Sequence, residues 1–219
     1  MIDGIRLKFC GLTTLVDAEF ADRLGADYLG FILYPKSPRY LPLRQYRDMA
    51  TALPDGRKHV AVMVEPDEAE LVAARDAGFD RFQIHFRTTT PEARLRVWSE
   101  TVGKDVLWLA PKLPADEAVA AAVLEAAGTV LLDTFHRDRF GGSGQTGDWG
   151  RFRELRASHP DHTWILAGGL SPENVVLALA ESGTNFVDVN SGVETAPGMK
   201  DHAKMQALVL AIHRARTAN

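Results

Sequence analysis

The sequence predicts a single-domain α/β fold spanning residues 1–219, a closed (β/α)8 barrel of the TIM-barrel type. Three observations carry that expectation. Short apolar segments alternate with amphipathic ones from end to end, which is the pattern of strand–helix units around a parallel sheet. Glycine helix stops recur at Gly25, Gly78, Gly128 and Gly183, roughly fifty residues apart, so each interval holds two strand–helix units. Eight units with no long linker favour closure over an open doubly wound sheet, which normally has fewer strands; nor does a GxGxxG follow any strand.

The elements follow in order. The first strand runs from Ile5 into Cys10-Gly11-Leu12-Thr13. Thr14 with Asp17 three residues on opens a helix whose face carries Val16, Phe20, Ala21 and Leu24. Tyr28 to Leu33 is a nearly all-apolar strand, as expected where both faces are covered. Pro35-Lys36-Ser37-Pro38-Arg39 is a stiff loop, Leu43 to Leu53 a helix and His59 to Val64 the third strand. Asp67 and Glu70 cap the next helix, and Arg81 to His85 is the fourth strand. Thr90-Pro91-Glu92 opens a helix that Gly103 stops, and Val106 to Leu113 follows as the fifth strand. Ala115 to Ala127 reads as helix, Thr129 to Asp133 as strand six, 135–148 as a polar glycine-rich loop, and Trp149 as the start of a short helix. Thr163 to Ala167 is strand seven; Ser171-Pro172-Glu173 opens a helix to about Glu181. Phe186 to Val189 is strand eight, and Met205, Leu208, Val209 and Ile212 form the core face of the last helix.

Bulk properties narrow the function classes. The chain is 46% hydrophobic and 25% charged with a net charge of −4, and its Lys and Arg are spread along it, so no nucleic-acid arm or membrane face is expected. The most apolar run, Ala118 to Leu132, is interrupted by Glu125 and Gly128 and is too short to span a bilayer. The first residues lack a basic-then-apolar export pattern. A single cysteine rules out an internal disulfide and a CxxC metal pair, which fits a reducing, cytoplasmic setting.

In a barrel the chemistry sits at the strand-to-helix loops. Cys10 ends the first strand at a glycine turn; it is either a small buried hydrophobe or a base, and as a base its thiolate needs nearby positive charge or a helix amino terminus. Asp133 ends the sixth strand before a loop, Phe135 to Gly144, too long to be a mere connector, which reads as a cover over a site. A thiolate and a carboxylic acid on separate strands can flank a small substrate as base and acid. Ala167-Gly168-Gly169-Leu170-Ser171 and Asn190-Ser191-Gly192-Val193-Glu194 follow the last two strands, where small residues let backbone N–H groups approach a phosphate. Arg39, between Pro38 and Pro42, is either a surface arginine or a fixed guanidinium suited to a carboxylate through paired hydrogen bonds. His85 ends the fourth strand and is equally readable as structural or substrate-facing.

These residues bear a resemblance to the phosphoribosylanthranilate isomerase family. Lys8-Phe9-Cys10-Gly11-Leu12-Thr13, Gly25 to Phe31, Ser37-Pro38-Arg39, Leu131-Leu132-Asp133 with Gly141-Gly142-Ser143-Gly144 and Asp148-Trp149, Leu166 to Leu170, and Asp188 to Glu194 with Pro197 to Asp201 match its motifs in order. The resemblance implies an Amadori rearrangement of N-(5-phosphoribosyl)anthranilate in tryptophan biosynthesis, a small phosphorylated substrate, and no metal or organic cofactor. It implies Asp133 as the acid, Cys10 as the base and Arg39 facing the anthranilate. A monomer or homodimer is expected. Two departures stand on the side expected to face substrate: Phe86 where the family has glycine after Gln-Leu-His, and Pro111 in the fifth strand. The competing readings are a related aminoaldose-phosphate isomerase, which would place an acid where Cys10 stands, and a non-catalytic barrel that binds a phosphorylated metabolite.

Overall fold

The computed structural model describes residues 1–53, 56, 58–114, 117–133 and 148–217. Eight parallel strands close in chain order: β1 (Arg6–Phe9), β2 (Tyr28–Ile32), β3 (Lys58–Val64), β4 (Arg81–Arg87), β5 (Leu107–Lys112), β6 (Thr129–Asp133), β7 (Thr163–Ala167) and β8 (Phe186–Val189), with β8 paired back onto β1. Helices α1 (Leu15–Arg23), α2 (Leu43–Ala50), α3 (Glu68–Asp76), α4 (Glu92–Val102), α5 (Ala121–Ala126), α6 (Trp149–Ser158), α7 (Val175–Ser182) and α8 (His202–Thr217) follow the strands. A hairpin of β9 (Glu194–Ala196) and β10 (Met199–Lys200) sits between β8 and α8. Among the described residues no helix is long and apolar enough to cross a membrane.

The expected caps form. The Thr14 hydroxyl accepts from Asp17 N at 3.1 Å and donates to its carboxylate at 2.7 Å. Asp67 and Glu70 close a reciprocal capping box at 2.8 and 2.9 Å, which satisfies two backbone donors at the start of α3. Several elements differ from the sequence pattern; helix α2, for one, stops at Ala50 rather than Leu53. Helix α5 starts at Ala121, not near Ala115: alanine is the best helix former, but propensity alone is a weak force and its small side chain buries too little surface to hold residues 117–120 in helix. Helix α7 starts at Val175, because Ser171 and Asn174 fold the preceding residues into a side-chain-bonded turn. Strand β4 continues to Arg87, whose backbone N–H and guanidinium both bond the Glu65 carboxylate beside it.

Two apolar layers result from the two-residue period of the strands. Outward residues such as Leu7, Phe9, Leu29, Phe31 and Ile84 pack beneath the helices. Inward residues, including Val60, Val62, Trp108, Leu131, Ile165 and Phe186, fill the barrel. The floor is an aromatic cluster: Tyr28 lies 4.9 Å from Trp108 and 5.1 Å from Phe186, and Arg6 covers Phe186 at 4.6 Å. That plug leaves the carboxyl ends of the strands as the open face.

Candidate active site

A cavity of about 390 Å³ opens at the carboxyl ends of the strands. Cys10, Arg39, His85, Asp133, Gly168, Gly169 and Ser191 all line it, so seven of the eight sequence-derived site residues meet in one cup. The eighth, Gly192, does not line the cup. A Cβ there would stand 1.9 Å from the Leu170 carbonyl oxygen, so this glycine lets the loops after β7 and β8 close on each other. The segment 134–147, including the Phe135 to Gly144 cover and the Gly141-Gly142-Ser143-Gly144 motif, lies outside the described residues.

Cys10 is placed by its N–H bond to the Val189 carbonyl at 2.8 Å and by Gly11, whose φ is +70°. A Cβ at Gly11 would sit 2.7 Å from Asn190 Oδ1 and 2.8 Å from Arg39 Cδ, so only glycine brings these three loops together. Cys10 is only 4% exposed yet lines the cup. Burial pushes its thiol above the ordinary value; Lys8 and Lys200 pull it down and Asp188 adds to the rise. The positive charge expected beside the cysteine is therefore present, but desolvation outweighs it. Asp133 reaches the cup as the last residue of β6, in register with Ala167. Going around the barrel, β7 and β8 separate it from Cys10.

The glycines after β7 have φ of +97° at Gly168 and +62° at Gly169, a left-handed pair that turns the backbone across the cup. Asn174 Nδ2 donates to the Gly169 carbonyl at 2.9 Å and holds that turn.

Arg39 is fixed, as its proline-flanked loop suggests, but its expected fork is partly used. Nε donates to both Glu194 oxygens at 2.9 and 3.1 Å, and Nη2 to Oε2 at 2.5 Å. Glu194 also accepts from Lys200 Nζ at 2.9 Å. The edge available to a ligand carboxylate is the one between the two terminal nitrogens, not the Nε edge. Hydrogen bonds from Arg39 and Lys200 outweigh burial and hold the Glu194 carboxyl below its usual range.

His85 points into the cup, and its Nε2 lies 2.8 Å from the carboxamide nitrogen of Gln83. That amide donates to a neutral imidazole, and burial, with Lys8 adding, lowers the His85 pKa to about 4. Gln83 is 1% exposed, and its Oε1 has no hydrogen-bond partner among the described residues. The two departures from the family pattern face away from this chemistry, contrary to expectation. Phe86 and Pro111 are register partners on the outer face of the sheet; Phe86 packs against Trp98 of α4 at 5.7 Å, and Pro111 lies near Phe152 and Leu155 of α6.

Five residues of the site were not singled out in the sequence: Lys8, Gln83, Asp188, Glu194 and Lys200. Lys8, Gln83 and Asp188 share one readable signal, a polar side chain between two apolar neighbours within a strand.

A closed (β/α)8 barrel with a thiol, carboxylates and an imidazole gathered at the carboxyl ends of its strands defines a class, the barrels built for small-molecule acid–base chemistry. Residues 7–211 match the family model described as N-(5'phosphoribosyl)anthranilate (PRA) isomerase. The N-(5'-phosphoribosyl)anthranilate isomerase of Synechococcus sp. is 35% identical over 216 residues, covering 96% of this chain and 97% of that protein. The crystal structure of the isomerase from Thermus thermophilus superposes with a TM-score of 0.78 at 31% identity, over 97% of this chain and 100% of that one. A phosphoribosylanthranilate isomerase in complex with reduced 1-(o-carboxyphenylamino)-1-deoxyribulose 5-phosphate superposes with a TM-score of 0.72 at 29% identity, over 98% and 100%. The chain belongs to the N-(5'-phosphoribosyl)anthranilate isomerase family.

Proposed function

We propose that the cup performs the family's Amadori rearrangement with Cys10 as base and Asp133 as acid. The chain is an isomerase of tryptophan biosynthesis, acting on N-(5'-phosphoribosyl)anthranilate. Protonated Asp133 gives its proton to the ribose ring oxygen as the bond to the first ribose carbon breaks and the nitrogen lone pair closes a C=N bond. The Cys10 thiolate then takes the proton from the second carbon, and the freed electrons form an enolamine and neutralise the nitrogen. Protonation at the first carbon and loss of the hydroxyl proton complete the ketone.

The observation that carries this assignment is the shared cavity: Cys10 and Asp133 line it together with Gly168, Gly169 and Ser191. The glycine turn and Ser191 suit the phosphate; Arg39 suits the anthranilate carboxylate, and His85 the sugar. A thiol where an acid would stand argues against the aminoaldose-phosphate isomerase. The non-catalytic reading loses its support once Phe86 and Pro111 are seen to face outward. Residues 1–219 are read as one domain because β8 closes on β1. A lone cysteine supports a reducing cytoplasm, and either a monomer or a homodimer is compatible with a cup built from one chain.

The test is a fluorescence assay of the purified protein with N-(5'-phosphoribosyl)anthranilate made in situ, alongside growth rescue of a tryptophan auxotroph lacking this isomerase. Turnover and rescue are expected. Well-folded protein that gives neither overturns the assignment.

A further inference from the structure

The reaction steps above leave one buried charge pair without a role. Lys8 stands two residues before Cys10 on the same inward face of β1, with its side chain fully buried. Its Nζ lies 2.9 Å from each Asp188 oxygen, and Lys8 and Asp188 are register partners across the β1–β8 seam that closes the barrel. The strand on its other side, β2, is cut away for it. A Cβ on Gly30 of β2 would lie 2.8 Å from Lys8 Cε, 2.9 Å from Nζ and 3.1 Å from Cys10 Cα. Gly30 has no positive φ to explain it, so the space for Lys8 and Cys10 is its use.

A buried ion pair gains little over apolar residues of the same volume. Stability alone therefore gives no reason for a charged pair, a strand register and a glycine to coincide beneath the only cysteine. Lys8 Nζ hydrogen-bonds Asp188, and the Gly30 notch that receives it also lies against Cys10, so the ammonium acts on the sulfur through its charge. We propose that Lys8, held by Asp188 in the notch at Gly30, is a positioning residue that stabilises the Cys10 thiolate. The proposal rests on the reading of Cys10 as the base.

The other titratable or charged groups around the sulfur are Lys200 of β10, Arg39 from the loop after β2, His85 of β4 and Asp133 of β6. Of the two partners in the buried pair, the Lys8 ammonium pulls the thiol down more than the Asp188 carboxylate pushes it up, so the pair as a whole favours the anion. The same ammonium disfavours a second cation at His85. One buried charge thus sorts two groups of the cup, keeping the thiol ionisable and the imidazole neutral.

Cys10 is the only cysteine of the chain, so its alkylation by iodoacetamide across a pH series reports the thiolate without reference to turnover. Lys8→Met/Asp188→Asn removes both charges at nearly constant volume. Lys8→Gln/Asp188→Asn is the alternative if the first pair does not fold, as judged by circular dichroism and Tm. The expected result is an alkylation midpoint raised by about one pH unit and about tenfold slower alkylation at neutral pH. The acid limb of kcat/KM moves by the same amount while KM stays near the parent value. A parental alkylation midpoint in a folded variant overturns the proposal, whether turnover falls or not, since Lys8 would then be scaffold alone. Failure of the underlying reading shows separately: Cys10→Ala with parental turnover removes Cys10 as base and leaves the alkylation result standing.

Discussion

At the floor of the barrel, Tyr28, Trp108 and Phe186 pack ring against ring; two residues further along β8, Asp188 holds the ammonium of Lys8, and two further again Asn190 lines the cup. The same alternation carries β2 from Tyr28 through the Gly30 notch to Ile32, and β4 from Gln83 to His85 at the mouth. Period two decides which side chains face the axis; height along the strand decides whether they meet another ring, a buried partner or the ligand space. Stability and chemistry are therefore separable along single strands. Floor substitutions should cost folding and spare the reaction, and mouth substitutions should do the reverse.

The largest effect belongs to the mouth. Cys10→Ala is expected to lower kcat by about 10²–10⁴-fold, the range for a lost general base, with Tm near the parent value. Asp133→Asn should fall in the same range, since it removes the proton donated to the ring oxygen. Either variant turning over at the parental rate breaks the assignment and the comparison with it. Because burial raises the Cys10 thiol, activity should climb with pH through a midpoint above the ordinary thiol value, as fewer sulfurs carry a proton. A pH–rate profile already flat below that value would contradict a buried thiol base.

Trp108→Ala tests the other end. Truncating a fully packed floor ring should cost about 3–5 kcal/mol of stability, measured by denaturant unfolding, while KM stays close to the parent value at low temperature. A large change in KM with little loss of stability would mean that floor and mouth are mechanically one unit. Between these lies Arg39→Ala, expected to raise KM about 10–100-fold through loss of a charged hydrogen-bond partner with little change in kcat. Glu194→Gln should raise it less, because it loosens the guanidinium without removing it.

The parts legible in the sequence were those set by local chemistry. Strands six, seven and eight are bounded by apolar runs between glycine, Asp and Asn, and their limits coincide with the structure. The Thr14 and Asp67 caps were readable because a cap is a contact three residues long. Cys10, Asp133 and the Gly168-Gly169 turn were readable because a reactive or flexible residue at a strand end has few other uses. The Lys8–Asp188 pair was not, since its members stand 180 positions apart and only closure of β8 on β1 puts them in register. Glu194 and Lys200 were hidden for a related reason: they brace Arg39 and Asn190 of the cup from a hairpin beyond the eighth strand, which strand-and-helix counting passes over. Phe86 was misread as rim because the fourth strand was ended two residues early, at His85.

That extended strand end carries the smallest effect. Glu65 adopts φ of +43°, uncommon for a residue with a Cβ, and its carboxylate accepts from Arg87 N at 3.0 Å, Arg87 Nη2 at 2.9 Å and Thr90 Oγ1 at 3.1 Å. Its own carbonyl accepts from Arg94 at 2.7 Å. The hydrogen bond from the Arg87 side chain, followed by that from its backbone, lowers the Glu65 pKa to about 2. A carboxyl depressed on folding stabilises the protein above its unfolded pKa, and that contribution fades as pH falls towards the folded one. Arg87 is mostly exposed, so solvent screens the pair and Arg87→Ala should lower Tm at pH 7 by much less than Trp108→Ala does. The gap between parent and variant should narrow as pH falls from about 4.5 towards 2. A gap that stays constant with pH would show that the Glu65–Arg87 contact works through packing of the arginine stem, and that charge at this rim, unlike charge beneath Cys10, is incidental to the fold.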